Sequence, residues 1–291
     1  TDKRVLMAPA MNVRMWQHPA VQANLQRLKG FDGLHGVAVV GPDEGEMACG
    51  EFGPGRMAEP AAILAAIRTL LSDAGERPLA GRRAVVTAGP TFEPIDPVRG
   101  LTNRSSGKQG YAIAAALAAR GASVTLVSGP VGLAAPDGVQ RVQVETAVEM
   151  KAAVDAALPA DIAVMSAAVA DWRVDGVASG KIKKAPGGPP SLALIENPDI
   201  LADLSAPGSN RPTLVIGFAA ETTDLEVNAR AKLSRKGCDW IIANDVSGDV
   251  FGADSNAVTL FQRGGTGESW PRQSKADIAR SLVDRIVDHF A

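Results

Sequence analysis

Three lysines crowd into four positions at Lys181-Ile182-Lys183-Lys184, and the stretch runs on into Ala-Pro-Gly-Gly-Pro-Pro. Gly and Pro on both sides predict a mobile loop on a rigid sheet edge, suited to closing over a ligand. Such a loop suits an anion. A nucleoside triphosphate brings about four negative charges, and each ion pair near a surface is worth up to ~4 kcal/mol at about 4 Å before desolvation is subtracted. One lysine there can also stabilise charge developing at a phosphorus under attack. A second stretch points to the same chemistry. Thr87-Ala88-Gly89-Pro90-Thr91-Phe92-Glu93-Pro94-Ile95-Asp96-Pro97-Val98-Arg99 leads to Asn103-Arg104-Ser105-Ser106-Gly107-Lys108-Gln109-Gly110 at a helix entrance. Small residues with free backbone N–H groups at a helix N-terminus, with hydroxyls and a cation close by, hold a phosphate.

Two familiar phosphate motifs fail on spacing. A Walker A loop needs Gly at 102, where Thr stands, and Ser or Thr after Lys108, where Gln stands. Of the three glycines of a dinucleotide fingerprint only Gly107 and Gly110 can be placed, which opposes a Rossmann oxidoreductase. A non-catalytic nucleotide-binding partner is the remaining alternative. Further polar groups follow short apolar runs: Ala167-Ala168-Val169-Ala170-Asp171-Trp172, Glu196-Asn197-Pro198-Asp199-Ile200, Gly217-Phe218-Ala219-Ala220-Glu221-Thr222 and, more weakly, Ala243-Asn244-Asp245-Val246. Phe218 either stacks on a base or fills the core. Lys232 and Lys236 are four apart and share one helix face.

Groups so scattered along the chain need a scaffold that gathers strand ends. From Ala84 the pattern alternates: strand 84–87, a long loop, helix 110–120, strand 123–127, strand 139–144, helix 147–157, strand 162–166 and a polar lysine-bearing loop. Strand 192–195, helix 200–204, strand 214–218, helix 225–236, strand 240–243, a hairpin and helix 275–290 complete the series. Short apolar strands alternating with amphipathic helices specify an α/β fold, a Rossmann-like, mostly parallel sheet with helices on both faces. Ligands on such sheets bind beyond the carboxyl ends of the strands. Before this series come strand 4–8, helix 19–28, strand 36–40, a Gly-rich loop and helix 61–74, too few to close a doubly wound domain. Gly75, Arg77, Pro78 and Gly81 place a boundary near Pro78, giving domains 1–77 and 78–291.

Composition removes other classes. With 291 residues, 46% hydrophobic and 21% charged, the chain is an ordinary globular protein. A net charge of -2 leaves no footprint for nucleic acid or an anionic membrane, so an anionic ligand must be met by local lysines. Two cysteines, Cys49 and Cys238, are too few for a disulfide framework and fit a reducing, cytoplasmic compartment. No apolar run approaches the roughly 20 residues of a membrane helix. The first residue is Thr and a strand starts almost at once, as in a chain that begins inside a longer protein.

The ordered series of motifs from about Gly81 onward resembles the ligase half of the bifunctional phosphopantothenoylcysteine decarboxylase/phosphopantothenate-cysteine ligases. It comprises Gly89-Pro90-Thr91, Glu93-Pro94, Asp96-Pro97-Val98-Arg99, Asn103, Ser105-Ser106-Gly107, Ala167 to Asp171, Lys181 to Lys184, Asn197-Pro198-Asp199 and Gly217 to Thr222. The residues before it resemble the C-terminal part of the decarboxylase half, a flavodoxin-like α/β domain, through Pro9 to Trp16 and Met47 to Met57. The resemblance implies a reaction in which phosphopantothenate is activated by CTP as an acyl-cytidylate and then joined to cysteine. It implies that Lys181 helps form the cytidylate and Asn103 supports the intermediate or its conversion. Ser105, Ser106, Gly107, Ala167, Ala168, Asp171, Asn197, Pro198, Asp199, Ile200, Phe218, Lys232 and Lys236 would line the nucleotide site. Mg²⁺ would bridge phosphate oxygens, with no metal ligands assigned, and the ligase would be a homodimer. For the decarboxylase half it implies FMN, a substrate-carboxylate contact at Asn12 and a proton-donating thiol at Cys49. The catalytic His of that half lies before the Pro9-Ala10-Met11-Asn12 segment, outside the chain, and His18, His35 and His289 do not match it, so decarboxylation is not expected of the chain alone.

Overall fold

The computed structural model describes residues 5–29, 37–46, 50–72, 77–183, 191–221, 223–245 and 255–291. The chain divides into two units, Thr1–Glu76 and Arg77–Ala291. In the first, β1 (Val5–Met7) pairs in parallel with β2 (Val37–Val39), with α1 (Val13–Trp16) and α2 (Pro19–Lys29) between them in sequence. Asn12 caps α1 by accepting the Met15 amide on Oδ1 at 2.8 Å. The stretch expected as a Gly-rich loop is instead an antiparallel hairpin, β3 (Asp43–Glu46) with β4 (Phe52–Arg56). Glycine makes it possible: a Cβ on Gly53 would stand 3.1 Å from both Val13 methyls, so its absence lets α1 lie against the ribbon. Cys49 lies outside the described residues. Helix α3 (Pro60–Ser72) ends the unit.

The second unit begins with β5 (Arg83–Ala88), the hairpin β6 (Phe92–Asp96) and β7 (Arg99–Thr102), α4 (Lys108–Ala119), β8 (Ser123–Ser128) and β9 (Val139–Gln143). It continues through α5 (Ala147–Ala156), β10 (Ile162–Met165), β11 (Trp172–Val174), β12 (Leu194–Glu196) and α6 (Ile200–Ser205). Then come β13 (Leu214–Glu221), α7 (Leu225–Lys236), β14 (Trp240–Asp245), β15 (Ser255–Gln262), β16 (Glu268–Ser274) and α8 (Lys275–Phe290). Eight strands form one sheet in the order β16-β15-β14-β13-β10-β5-β8-β9. The strands from β14 to β9 are parallel, whereas β15 and β16 add antiparallel at one edge.

Alternation with period 2 explains why both faces are covered. Ala84, Val86, Ile162, Val164, Leu214 and Ile216 point to one side, against Tyr111, Ile113 and Leu117 of α4 and Ile278, Leu282 and Ile286 of α8. Val85, Ala163, Val215 and Ile241 point to the other, against Met150 and Val154 of α5, Ile200 and Leu204 of α6, and Leu233 of α7. A capping box starts α5, with Thr146 and Glu149 each satisfying an amide of the other. Cys238 is fully buried in the second core, and burial pushes its thiol up to about 11, so it is inert packing.

The structure corrects two expectations here. The long loop after β5 contains the hairpin β6–β7. The run at Leu192–Ile195 is not a strand of the sheet: β12 pairs antiparallel with β11 as a separate two-stranded ribbon, with all three β12 residues exposed.

Chain direction reverses around β5. The connection through α4 leads to β8 and β9 on one side, and α5 then returns the chain to β10 on the other, which makes the β5/β10 junction the switch point of the sheet. There α4 packs with no room for a side chain at Gly110, where a Cβ would lie 2.6 Å from Ala88 Cβ and from Ser166 Oγ. On propensity alone Gly110→Ala should stabilise α4 by about 1 kcal/mol. Overlap with two strand ends outweighs that, and we expect thermal or denaturant unfolding to report a net loss of about 1–3 kcal/mol.

Candidate functional site

Beyond the ends of β5 and β10, a cleft of about 1080 Å³ opens entirely within the second unit. Its floor is built by glycine. Gly89 (φ 76°) turns the chain off β5, and Gly107 (φ 72°) is the N-cap of α4. A Cβ on Gly107 would meet Val131 Cγ1 at 3.2 Å and the Gly89 backbone at 3.4 Å, so these two turns are in contact. Gly107 has no side-chain oxygen and so makes no side-chain cap of α4, whose N-terminal end faces the cleft. Ser105, Ser106, Lys108 and Gln109 line the cleft around that helix end.

One wall is the segment 167–171, sewn to the chain leaving β5. Pro90 and Ala168 form a parallel bridge, Ala168 N donates to Gly89 O at 2.9 Å, and Ala170 N donates to the fully buried Thr91 Oγ1 at 3.0 Å. Asn103 Nδ2 donates to Val169 O at 3.0 Å. Asn197 is fixed from both ends, donating to Ala170 O at 2.8 Å and accepting from Arg173 at 3.0 Å, so its side chain shapes the wall.

The opposite wall carries charge. Lys232 and Lys236 project from one face of α7; Lys232 Nζ donates to Phe218 O at 2.8 Å, and Lys236 is paired with Asp199, the N-cap of α6. Burial opposes the Asp199 charge, but the Lys236 ammonium, the Ala202 amide and the more distant Lys232 outweigh it and hold the carboxyl below its ordinary value. Phe218 is half-buried, lines the cleft and also packs against the first core. Five cations line the cleft (Arg104, Lys108, Lys232, Lys236 and Lys275) against three carboxylates (Asp171, Glu196 and Asp199), which makes it an electropositive hollow in a chain of net charge -2.

Asn103, Ser105, Ser106, Gly107, Ala167, Ala168, Asp171, Asn197, Pro198, Asp199, Ile200, Phe218, Lys232 and Lys236 therefore share one cleft. Lys181 does not line it. It is exposed at the start of its loop, and Lys184 lies outside the described residues. Asn12 belongs to the first unit. Two lining residues escaped sequence reading, Asn256 on β15 and Lys275 at the start of α8. Gln109 Nε2 donates to Lys275 O at 3.2 Å across 166 positions of sequence, a tertiary contact that no local pattern announces. Asn244 Oδ1, also at the cleft, is buried without a hydrogen-bond donor, an acceptor that a ligand or water can satisfy. Among the described residues no three His, Cys, Asp or Glu side chains converge to hold a metal, and no helix is long and apolar enough to cross a membrane.

Fold and cleft together define a doubly wound α/β protein with an electropositive cleft at its topological switch point. Comparison with known proteins narrows this to a family. Residues 79–290 match the DNA/pantothenate metabolism flavoprotein C-terminal domain, and residues 1–72 match the flavoprotein domain. The coenzyme A biosynthesis bifunctional protein CoaBC of Haemophilus influenzae is 44% identical over 292 residues, covering 100% of this chain and 71% of that protein. Its counterpart in Escherichia coli is 45% identical over 295 residues with the same coverage. The crystal structure of the C-terminal domain of a CoaBC protein superposes with a TM-score of 0.63 at 39% identity, covering 73% of this chain and 97% of that one. The chain belongs to the family of CoaBC bifunctional proteins.

The Lys236–Asp199 pair gives a pH signature. Because the folded Asp199 value is depressed, its contribution is complete above the ordinary carboxylate pKa of about 4 and is lost as pH falls through the folded value. Asp199 is 43% exposed and screened by solvent, so roughly 1 kcal/mol or less is at stake. Lys236→Met should unfold at lower temperature than wild type near neutrality, with the gap closing toward acid; a gap independent of pH would rule out this pair as its source.

Proposed function

We propose that residues 78–291 form a phosphopantothenate-cysteine ligase that works through an acyl-cytidylate in coenzyme A biosynthesis. One observation carries it: the switch-point cleft joins the N-terminal end of α4, two serines and five cations at one place, in a chain of the CoaBC family. In the first step a phosphopantothenate carboxylate oxygen attacks the α-phosphorus of CTP, and the bond to pyrophosphate breaks. In the second, the cysteine amine attacks the acyl carbon, CMP leaves and the amine proton passes to solvent. Splitting the condensation in this way replaces one hard step with two easier ones.

The parts follow from chemistry. Ser105, Ser106, Gly107 and the α4 amides hold phosphate oxygens, while Lys232 and Lys236 add charge from the far wall. Ala167, Ala168 and Asp171 form the wall beside the reacting carboxylate, and the segment from Asn197 to Ile200 with Phe218 bounds the nucleoside. Asn103, with Nδ2 tied to Val169 O, stands at the junction where the intermediate forms. Lys181, outside the cleft, reaches the α-phosphorus by closure of its loop. With no protein cage among the described residues, Mg²⁺ would be held by phosphate oxygens and water, where it neutralises charge on the triphosphate. Family membership supports CTP as the nucleotide and a cytoplasmic setting. Exposed Val98, Trp172 and Leu194 on the two ribbons support association as a homodimer. The flavoprotein match over residues 1–72 supports FMN as the cofactor of that unit, with Asn12 Nδ2 the donor left for a substrate carboxylate once Oδ1 caps α1. Family membership also weighs against an oxidoreductase or a non-catalytic nucleotide-binding partner.

Incubation of the chain with CTP, phosphopantothenate and cysteine should release pyrophosphate and form phosphopantothenoylcysteine. Lys181→Gln should slow acyl-cytidylate formation on the order of 10²-fold or more while CTP still binds. A wild-type chain that binds CTP and forms no acyl-cytidylate would refute the proposal.

A further inference from the structure

Asp96 is charged, 2% exposed and surrounded by donors from two distant segments. Its Oδ1 accepts the amides of Val98 at 2.9 Å and Arg99 at 3.0 Å, closing the β6–β7 turn. Its Oδ2 accepts both arms of the Arg99 fork, Nε at 3.0 Å and Nη2 at 2.5 Å, and also the amide of Ile182 at 3.1 Å. The same Arg99 Nη2 donates onward to Ile182 O at 2.9 Å. Both backbone polar groups of Ile182 are thus held by one ion pair lying 86 and 83 positions earlier in the chain. A further bond, Ala178 N to Ile95 O at 3.0 Å, runs between the same segments.

The turn alone does not require this arrangement. Asn or Ser accepts turn amides as well as Asp does, without the penalty of a buried charge. Charge and fork become necessary only when a second segment must be gripped, and the residue gripped is the one between Lys181 and Lys183. We propose that Asp96, acting through Arg99 and the Ile182 backbone, is a positioning residue that sets the stem of the lysine loop from which Lys181 serves the first chemical step. This rests on the role given to Lys181 above. The Arg99 guanidinium holds the Asp96 carboxyl well below the usual carboxylate range, against its burial, so the clamp stays charged at any working pH.

Asp96→Asn in the full chain tests the clamp twice. Tryptic cleavage after Lys181 and Lys183, followed by mass spectrometry under native conditions, should accelerate about tenfold, the least expected when a charge-assisted hydrogen bond is lost. Single-turnover formation of acyl-cytidylate should fall about tenfold, because small misplacements of a reacting group are expensive. Conversion of preformed acyl-cytidylate by cysteine should be unchanged, and Asp96→Asn should add nothing in a Lys181→Gln background. Unchanged cleavage, equal slowing of both steps, or additive losses in the double variant would each overturn the inference. If Lys181→Gln alone leaves the first step intact, the role of Lys181 fails, and the cleavage rates still decide whether Asp96 anchors the loop. Should Asp96→Asn not fold, Ile182→Pro deletes the gripped amide while sparing the turn and the ion pair; a Lys–Pro bond resists trypsin, so cleavage is then read after Lys183 alone, and the same acceleration there and the same slowing of the first step are expected.

Discussion

Backbone contact at the β5/β10 switch point is the constraint on which the site depends. Two chain segments leave parallel strands in different directions and must nevertheless touch, because a cleft proposed to hold phosphate beside the α4 N-terminus tolerates no slack in the backbone that shapes it. The Pro90–Ala168 bridge and the Ala168–Gly89 hydrogen bond provide the contact. Their neighbours must then be glycine. A Cβ on Gly129 would sit 1.7 Å from Pro90 O, and Gly89 and Gly107 adopt left-handed backbone and abut one another. Where three turns meet within a few ångströms, the side chain is what the geometry excludes.

Electrostatics is arranged on that floor with little net charge. The cations of the cleft are partly neutralised before any ligand arrives, Lys236 by Asp199 and Lys232 by the carbonyl of Phe218. This keeps side chains from repelling one another and orders them in advance, which lowers the entropy lost on binding. The proposed triphosphate would exchange with these internal partners instead of ordering the side chains anew. Partial pre-pairing explains how a chain with net charge -2 can present a site for a polyanion.

How much of this was legible in sequence depended on element length and range. Apart from the four-residue α1, the helices and the buried strands were readable because Val85, Ile162 or Leu214 sit in apolar runs with clear punctuation. The ribbons were not. Strands of three to five residues, one with Pro94 inside it, carry too few alternations to register as strands, and β12 looked like a sheet strand because Leu194-Ile195 is apolar. Cleft residues that follow strand ends or open helices, such as Ser105, Asp171 and Asn197, announced themselves by position. Lys275 and Asn256 did not, since they reach the cleft from an antiparallel edge whose placement depends on tertiary packing. The grip of Asp96 on Ile182 was equally silent, because Asp96-Pro97-Val98-Arg99, though part of the motif series, carries no local sign of a partner 86 positions away.

The division of labour between sheet and ribbons follows from the proposed two-step chemistry. Phosphate binding needs rigidity, and it is assigned to α4 and to strand ends buried on both faces. Lysine delivery needs motion, since the first step must exclude water while the second must admit an amine. Two-stranded ribbons have little core of their own and open at low free energy, so a loop stemming from them can change state without disturbing the sheet. An unanchored loop would visit too many conformations to deliver Lys181 in register. A charged clamp at Ile182 restricts the stem beside Lys181, which is what delivery of that lysine in register requires.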